Sequence, residues 1–416
     1  MKRRAFLAAA AVPLASRRAL SDPGGPPSPG PAATPRVEVG LERVLAETGA
    51  PLRGRSVGLV GHAASVAADG RHAIDVLREA GVRIVRLFGP EHGLRGLAAA
   101  GEKVAGGVDA ESGLPVVSLY GERTKPTPSD LRGLDALVID LQDAGVRFYT
   151  YASTMLLCLE AAADAGIEVS VLDRPNPIGG ERVEGPERDP AMPFSLVSMT
   201  PGPLVHGLTL GEMARLTNTR RPKPGRVSVV SMTGWSRGMS WGNTGRPWVN
   251  PSPNLRSPEA ALAYPGTCLV EATNASEGRG TDTPFLLVGA PWVKPDALAR
   301  EAATAGFTLE PATFTPVASP AAPKPKHQDA LCHGVRVRVT DAAGAQPFKL
   351  GLRLLVALRH HSEFAWVREG VWLDTLTGTR SVRAAIERGD SVDAILAAQA
   401  PAIEQWRAER KTALLY

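Results

Sequence analysis

An α/β fold on a mostly parallel sheet, followed by a second unit of α+β pattern, is predicted by three features of this 416-residue sequence. Short β-branched apolar runs alternate with helical patterns closed by glycine. Clusters of polar residues recur directly after those runs. A Pro/Gly/Trp-rich stretch then separates the repeating region from a second unit of different pattern.

The chain opens with Met-Lys-Arg-Arg-Ala-Phe-Leu and an alanine-rich run to Ala15, the shape of a charged n-region and a short h-region. The pair Arg3-Arg4 makes residues 1–21 resemble a twin-arginine export signal, which places the protein in the periplasm or outside the cell. Residues 22–36 are a Pro/Gly-rich tether that cannot bury a core, so folding is expected to begin near Val37. No run of 18 apolar residues follows, and no membrane span is expected.

Strands are expected over Ser56–Gly61, Val82–Phe88, Val116–Tyr120, Ala136–Leu141 and Val169–Leu172. Between them lie the helical patterns HAIDVLREAG (72–81) and STMLLCLEAAADAG (153–166), each ended by a glycine suited to a helix C-cap. Strand-helix-strand repetition implies right-handed crossovers and a parallel sheet. A helix over Leu210–Thr217 and a strand over Val227–Met232 extend the unit, and Gly234–Pro265 reads as loop. The division therefore falls at 37–260 and 261–416. The second part carries a strand at Val335–Val339, a helix at Leu350–Arg359 and a helical region after Ser391.

A hydrophobic fraction of 44% and a charged fraction of 21% are those of a folding chain. The net charge of +5 comes entirely from Lys2, Arg3, Arg4, Arg17 and Arg18, because the rest carries 42 basic and 42 acidic residues. The basic balance thus argues nothing for nucleic acid. Three scattered cysteines make neither a disulfide framework nor a metal cluster, and Cys158 falls in an apolar helical pattern that suits burial. No cofactor and no metal is indicated. Dinucleotide, P-loop and zincin motifs are absent.

The chemistry collects directly after the strands. After the first comes His62, after the second Gly-Pro-Glu91-His92-Gly, after the fourth Gln142-Asp143 with Arg147 and Tyr149, and after the fifth Asp173-Arg-Pro-Asn176. In an open parallel sheet these segments share the carboxyl edge, where ligands bind. Glu91 lies in a turn that neither continues a strand nor starts a helix, so it can be held at the rim as a general acid with a raised pKa, or be a solvated loop glutamate. Asp143 and Asp173 serve equally as caps or turn residues, and Asp140, inside an apolar run, as a buried orienting group. Further on, Glu271, Asn274, Glu277 and Arg279 sit in one polar stretch, where an arginine fork suits a carboxylate. Trp235, Trp241 and Trp248 either stack on sugars or are buried under loops. Gly-Trp-Ser236-Arg-Gly matches a nucleophile elbow, but no helix pattern follows it.

At these same segments the chain resembles the NamZ-type exo-β-N-acetylmuramidase family, first catalogued as a domain of unknown function. The resemblance rests on FGPEHGLRG (88–96), SLYGERTKPT (118–127), DLQDAGVRFYTYASTM (140–155), LDRPNPIGG (172–180), VEGP (183–186), HGLTLGE (206–212), PSPN (251–254), YPGTCLVEATNASEGRG (264–280) and the closing ALLY. It departs from the family at Gly61-His62-Ala63, where an Asn-Pro turn is usual, and at Ala272, where glycine is.

The resemblance implies a site in the cleft between a Rossmann-like domain and a smaller C-terminal domain. The implied reaction is hydrolytic release of N-acetylmuramic acid from the non-reducing end of peptidoglycan-derived oligosaccharides or muropeptides. It nominates Glu91, His92 and Asp143 as catalytic, with Arg147, Tyr149, Asp173, Asn176, Glu184, His206, Asn254, Glu271, Asn274 and Arg279 in the pocket. Glycosidic cleavage needs an acid and a second group. Glu91 is the expected acid; the second group is Asp143, Asp173, Glu271 or the substrate's own acetamido group. Arg147 and Arg279 are the candidate partners for the substrate's lactyl carboxylate. The alternatives are an exported sugar- or muropeptide-binding module without turnover, and a serine esterase using Ser236.

Overall fold

The computed structural model of the chain describes residues 36–47 and 51–416, so the expected export signal and nearly all of the tether lie outside the described residues. Twelve strands run in chain order as β1 (Ser56–Gly61), β2 (Arg83–Gly89), β3 (Gly107–Val108), β4 (Pro115–Ser118), β5 (Ala136–Asp140), β6 (Glu168–Leu172), β7 (Glu184–Glu187), β8 (Pro203–Val205), β9 (Val227–Val230), β10 (Leu287–Ala290), β11 (Phe307–Phe314) and β12 (Cys332–Val339). Seven of them form the main sheet, in the order β3-β4-β2-β1-β5-β6-β9. All neighbours are parallel except β3, which pairs antiparallel with β4. The six parallel strands therefore lie in the chain order third-second-first-fourth-fifth-sixth, the doubly wound Rossmann arrangement, whose switch point falls between β1 and β5.

Both faces of this sheet are covered, which is why its strands read as unbroken apolar runs. On β5, Ala136 and Val138 face a cluster with Leu41, Ile74 and Leu77, while Leu137 and Ile139 face the opposite cluster with Met155, Leu159 and Met213. The helices begin where capping residues allow. Thr209 and Glu212 form a reciprocal capping box for Leu210–Thr219, and Gly166 (φ 71°) ends Thr150–Ala165 in the left-handed conformation expected of a C-cap glycine. Cys158 lies in that helix, fully buried.

The C-terminal part is smaller and α+β: an antiparallel sheet β10-β12-β11, with helices including Pro347–Arg359, Val371–Thr377 and Ala400–Arg410. Apart from a small cluster of Leu287, Phe314 and Cys332, it shares the core of the first part. The cluster under helix Thr150–Ala165 runs without a break into Phe285, Phe348, Leu355, Leu373 and Trp406.

One expectation is corrected here. Gly234–Pro265 is not loop throughout, since Pro258–Thr267 is a helix. Ser257 accepts from the Ala260 N–H as N-cap and Pro258 occupies the first turn, where proline is pre-set for helix. This helix crosses Pro347–Arg359 at a glycine contact: a Cβ on Gly351 would sit 2.7 Å from the Gly266 Cα.

Candidate active site

The carboxyl edge of the sheet is organised differently at two places. At the switch point the polar residues bond mainly to one another. Gln142 N–H donates to His62 Nε2 at 2.9 Å. The fully buried Asp140 takes a two-pronged ion pair from Arg174, 2.5 Å at Nε and 2.8 Å at Nη2. Burial, then the Arg174 charge, holds His62 well below its ordinary pKa, so it is a neutral strut. The space left beside Gln142 and Arg174 is about 10 Å³, scarcely room for one water.

One strand over, beyond β2, a cavity of about 480 Å³ opens between the sheet edge and the C-terminal part. Its sheet side is the turn Pro90–Gly93, closed by the Gly93 N–H donating to the Pro90 carbonyl at 2.9 Å. The turn needs its glycines: a Cβ on Gly89 would lie 2.9 Å from Leu94 N, and Gly93 has φ 75°. His92 adopts φ 70°, a conformation that non-glycine residues rarely hold and that clusters at functional sites. Tyr151 stiffens the turn by donating to the Pro251 carbonyl at 2.9 Å, with the Glu91 carbonyl at 3.2 Å.

Glu91 points into the cavity and is 8% exposed. Its Oε1 accepts from the Gly101 N–H at 2.9 Å and its Oε2 from the Thr150 hydroxyl at 2.8 Å. Burial and the neighbouring Glu91 carboxylate push the Tyr120 phenol well above its usual range. His92 Nδ1 faces the Ala98 carbonyl at 2.8 Å, so that nitrogen carries the proton and Nε2 is the basic one. Burial lowers the His92 pKa despite the opposing pull of Glu91, favouring the neutral ring.

Across the cavity four charges neutralise one another. Arg279 meets Glu271 at 2.5 Å and Glu277 at 3.2 Å, and Lys326 meets Glu277 at 3.2 Å. Burial works to raise the Glu277 pKa, but the Lys326 and Arg279 cations outweigh it and hold the group ionised. Glu91 is thus the one carboxyl lining the cavity that has no cationic partner among the described residues.

Residues 57–259 match the model for the N-terminal domain of the exo-β-N-acetylmuramidase NamZ, and residues 262–416 the model for its C-terminal domain. The chain belongs to the NamZ family. It is 40% identical over 388 residues to the peptidoglycan β-N-acetylmuramidase NamZ of Bacillus subtilis, covering 92% of each chain. Two crystal structures of DUF1343 family proteins from Bacteroides fragilis share its fold. One has a TM-score of 0.83 at 31% identity, covering 92% of this chain and 99% of the other; the second has 0.74 at 30%, covering 91% and 99%.

Within this NamZ-family frame, the structure gathers only some of the nominated residues around the cavity. Glu91, His92, Tyr149, Glu271 and Arg279 line it. The others are placed elsewhere. Asp143 accepts from the Gly145 N–H at 2.8 Å, with His206 Nε2 at 3.5 Å, beneath the edge. His206 Nδ1 accepts from Leu208 N–H, so its proton faces Asp143. Arg147 is fully buried, and its guanidinium is spent on the carbonyls of Pro186, Gly202 and Thr377. It is therefore unavailable to a substrate carboxylate.

Asp173 accepts from Thr209, Gly211 and Tyr416, anchoring the closing residues. Asn176 bonds the backbone of Leu208 and Ile178, Glu184 that of Phe348, and Asn274 that of Glu363 and Ala365. Asn254 donates to the Ala321 carbonyl at 2.7 Å, holding the segment that roofs the cavity. Trp235 and Trp241 are buried and none of the three tryptophans lines the cavity, so the burial alternative holds for them. Ser236 is exposed in a turn with no helix after it, which removes the elbow reading.

Tyr120, Thr150, Lys324 and Arg368 line the cavity without having been nominated. Tyr120 and Thr150 both fall within the family-like stretches, and Tyr120 follows β4, a rim position that the reading of polar clusters passed over.

Proposed function

We propose that the chain is an exo-acting glycoside hydrolase that releases terminal N-acetylmuramic acid from the non-reducing end of peptidoglycan fragments, with Glu91 as the acid. The observation that carries this is the isolation of Glu91: a carboxyl group facing the cavity, held by neutral donors and free of any cationic partner among the described residues, is placed to serve as a proton donor. Family membership and the Bacillus subtilis relative's muramidase name supply the substrate class.

Of the carboxylates nominated for the second role, Asp143 and Asp173 are committed elsewhere and Glu271 is tied to Arg279. This favours the substrate's acetamido oxygen as the group that attacks the anomeric carbon. Glu91 protonates the leaving oxygen as that bond breaks, then takes a proton from the water that opens the cyclised intermediate. His92, neutral beside it, adds no competing charge.

The twin-arginine-like start supports export, and no helix among the described residues is long and apolar enough to cross a membrane. A reporter fused after residue 36 that stays in the cytoplasm would remove that part of the reading.

The deciding experiment is chromophore release from an aryl β-N-acetylmuramide, with the N-acetylglucosaminide as control and Glu91→Gln alongside. Turnover of the muramide alone, abolished in the variant, is the expected result. No turnover of either glycoside would leave a binding module instead.

A further inference from the structure

Burial alone does not explain the remaining charges of the cavity. Arg279, Lys326, Glu271 and Glu277 cancel as a closed quartet, and the Lys326 ammonium is further occupied by the carbonyls of Val270, Glu271 and Ala275 at 2.9–3.1 Å. His92 is held toward its neutral form. Two cations are left over. Lys324 and Arg368 line the same cavity, both are exposed, and neither has an ion-pair partner among the described residues.

Arg368 is also held in an unusual way. It and Glu369 have φ of 51° and 53°, followed by Gly370 at 85°, so three consecutive residues are left-handed. Non-glycine residues are strained in that region, and the surrounding structure must offset the strain. The Arg368 guanidinium lies 5.5 Å from the Trp372 ring, over a side chain that itself lines the cavity. With Glu91 ionised the uncancelled charge of the cavity is positive, and protonating Glu91 makes it more so. The net charge of such a cavity favours an anionic occupant over a neutral one.

We propose that Lys324 and Arg368 form an anion-recognising rim, and that the group they take is the free carboxylate of the 3-O-lactyl ether, the substituent that distinguishes N-acetylmuramic acid from N-acetylglucosamine. The assignment rests on the hydrolase reading for its substrate and replaces Arg147 and Arg279, whose charges are already spent within the protein.

The test compares three glycosides with the same chromophore: the β-N-acetylmuramide, the same sugar with its lactyl group as the neutral methyl amide, and the β-N-acetylglucosaminide. In the full chain, Lys324→Gln and Arg368→Gln should each lower kcat/KM for the muramide roughly 10-fold, mainly through KM, and leave the methyl amide unchanged. The double variant should handle the muramide and its amide alike.

Equal losses on both, or loss on neither, would overturn the proposal. So would sensitivity that appears only with a peptide-bearing muramide, because the rim would then be reading peptide carboxylates. Arg368→Gly guards against misfolding: glycine is relaxed at φ 51°, so Tm should hold or rise while the preference for the acid falls. Calorimetric titration of the Glu91→Gln chain with N-acetylmuramic acid and N-acetylglucosamine separates this idea from the hydrolase reading. Acid-dependent binding lost in Arg368→Gln keeps the rim even if the wild type turns over nothing; equal binding of the two sugars removes the rim even if turnover is seen.

Discussion

Two stretches of the same sheet edge, the switch point between β1 and β5 and the turn after β2, start from similar sequence and end in opposite states. Both present polar residues just past a buried strand, where an open α/β sheet binds ligands. At the switch point every such residue finds an internal partner: Asp140 finds Arg174, and His62 finds the Gln142 N–H. Beyond β2, Glu91 finds only uncharged donors, and a cavity of about 480 Å³ stands open in front of it. A Rossmann-type switch point can be built into the core, and the site moved one strand along, where the C-terminal part supplies the opposite wall. What separates the scaffold from the site is whether each charge is already answered inside the protein.

The contrast is sharpest in a pair of substitutions with opposite readouts. Glu91→Gln should lower kcat by about 10²–10⁴, the usual worth of a positioned acid, while Tm stays close to that of the wild type. Asp140→Ala should do the reverse, because it leaves the Arg174 guanidinium buried and unpaired at a cost of about 3–5 kcal/mol. A denaturation curve should show the loss, while the remaining folded protein keeps its kcat within a few-fold. If Asp140→Ala removed activity without loss of stability, the switch point would be part of the site and the contrast would fail. A milder change lies at the border. Thr150→Val removes one of the donors to Glu91 and should reduce kcat about 10-fold by loosening the carboxyl, with little change in KM.

The same contrast explains what was legible in the sequence. The parallel strands were visible because burial on both faces leaves continuous apolar runs, and the helices because caps and glycines mark their ends. The two-residue β3, the ribbon β7–β8 and the edge strand β11, interrupted by Glu310 and Pro311, carry no such run and were not anticipated. At the site, position after a strand marked which residues reach the edge, and that brought forward Glu91 and His92. It said nothing about which residues are already partnered. Arg147 is spent on carbonyls at 186, 202 and 377, separations that no local pattern encodes. Arg368 was invisible for the converse reason: its role depends on a left-handed backbone and on being left without an ion-pair partner.

The smallest expected effect tests how firmly the scaffold side is tied. Tyr416 donates to Asp173 Oδ2 at 2.9 Å and accepts from Met232 N–H at 2.9 Å, so one hydroxyl joins the chain's last residue to the end of β6 and the segment after β9. Tyr416→Phe should cost about 1 kcal/mol, and the cost should depend on pH. Burial, with the Glu212 charge also acting to raise it, pushes the Asp173 carboxyl up to about 6, against the Thr209, Gly211 and Tyr416 donors that favour ionisation. A carboxyl raised in the folded state holds its proton longer than in the unfolded chain, so its contribution falls as pH climbs from about 4 to 6 and is flat beyond. Without the Tyr416 hydroxyl the ionised form loses a donor, the folded pKa rises further, and the fall continues above pH 6. The gap in stability between wild type and variant should therefore widen from pH 5 to pH 7.5 in urea unfolding curves. A gap that stays constant over that interval would mean that Asp173 does not use the Tyr416 hydroxyl to carry its charge.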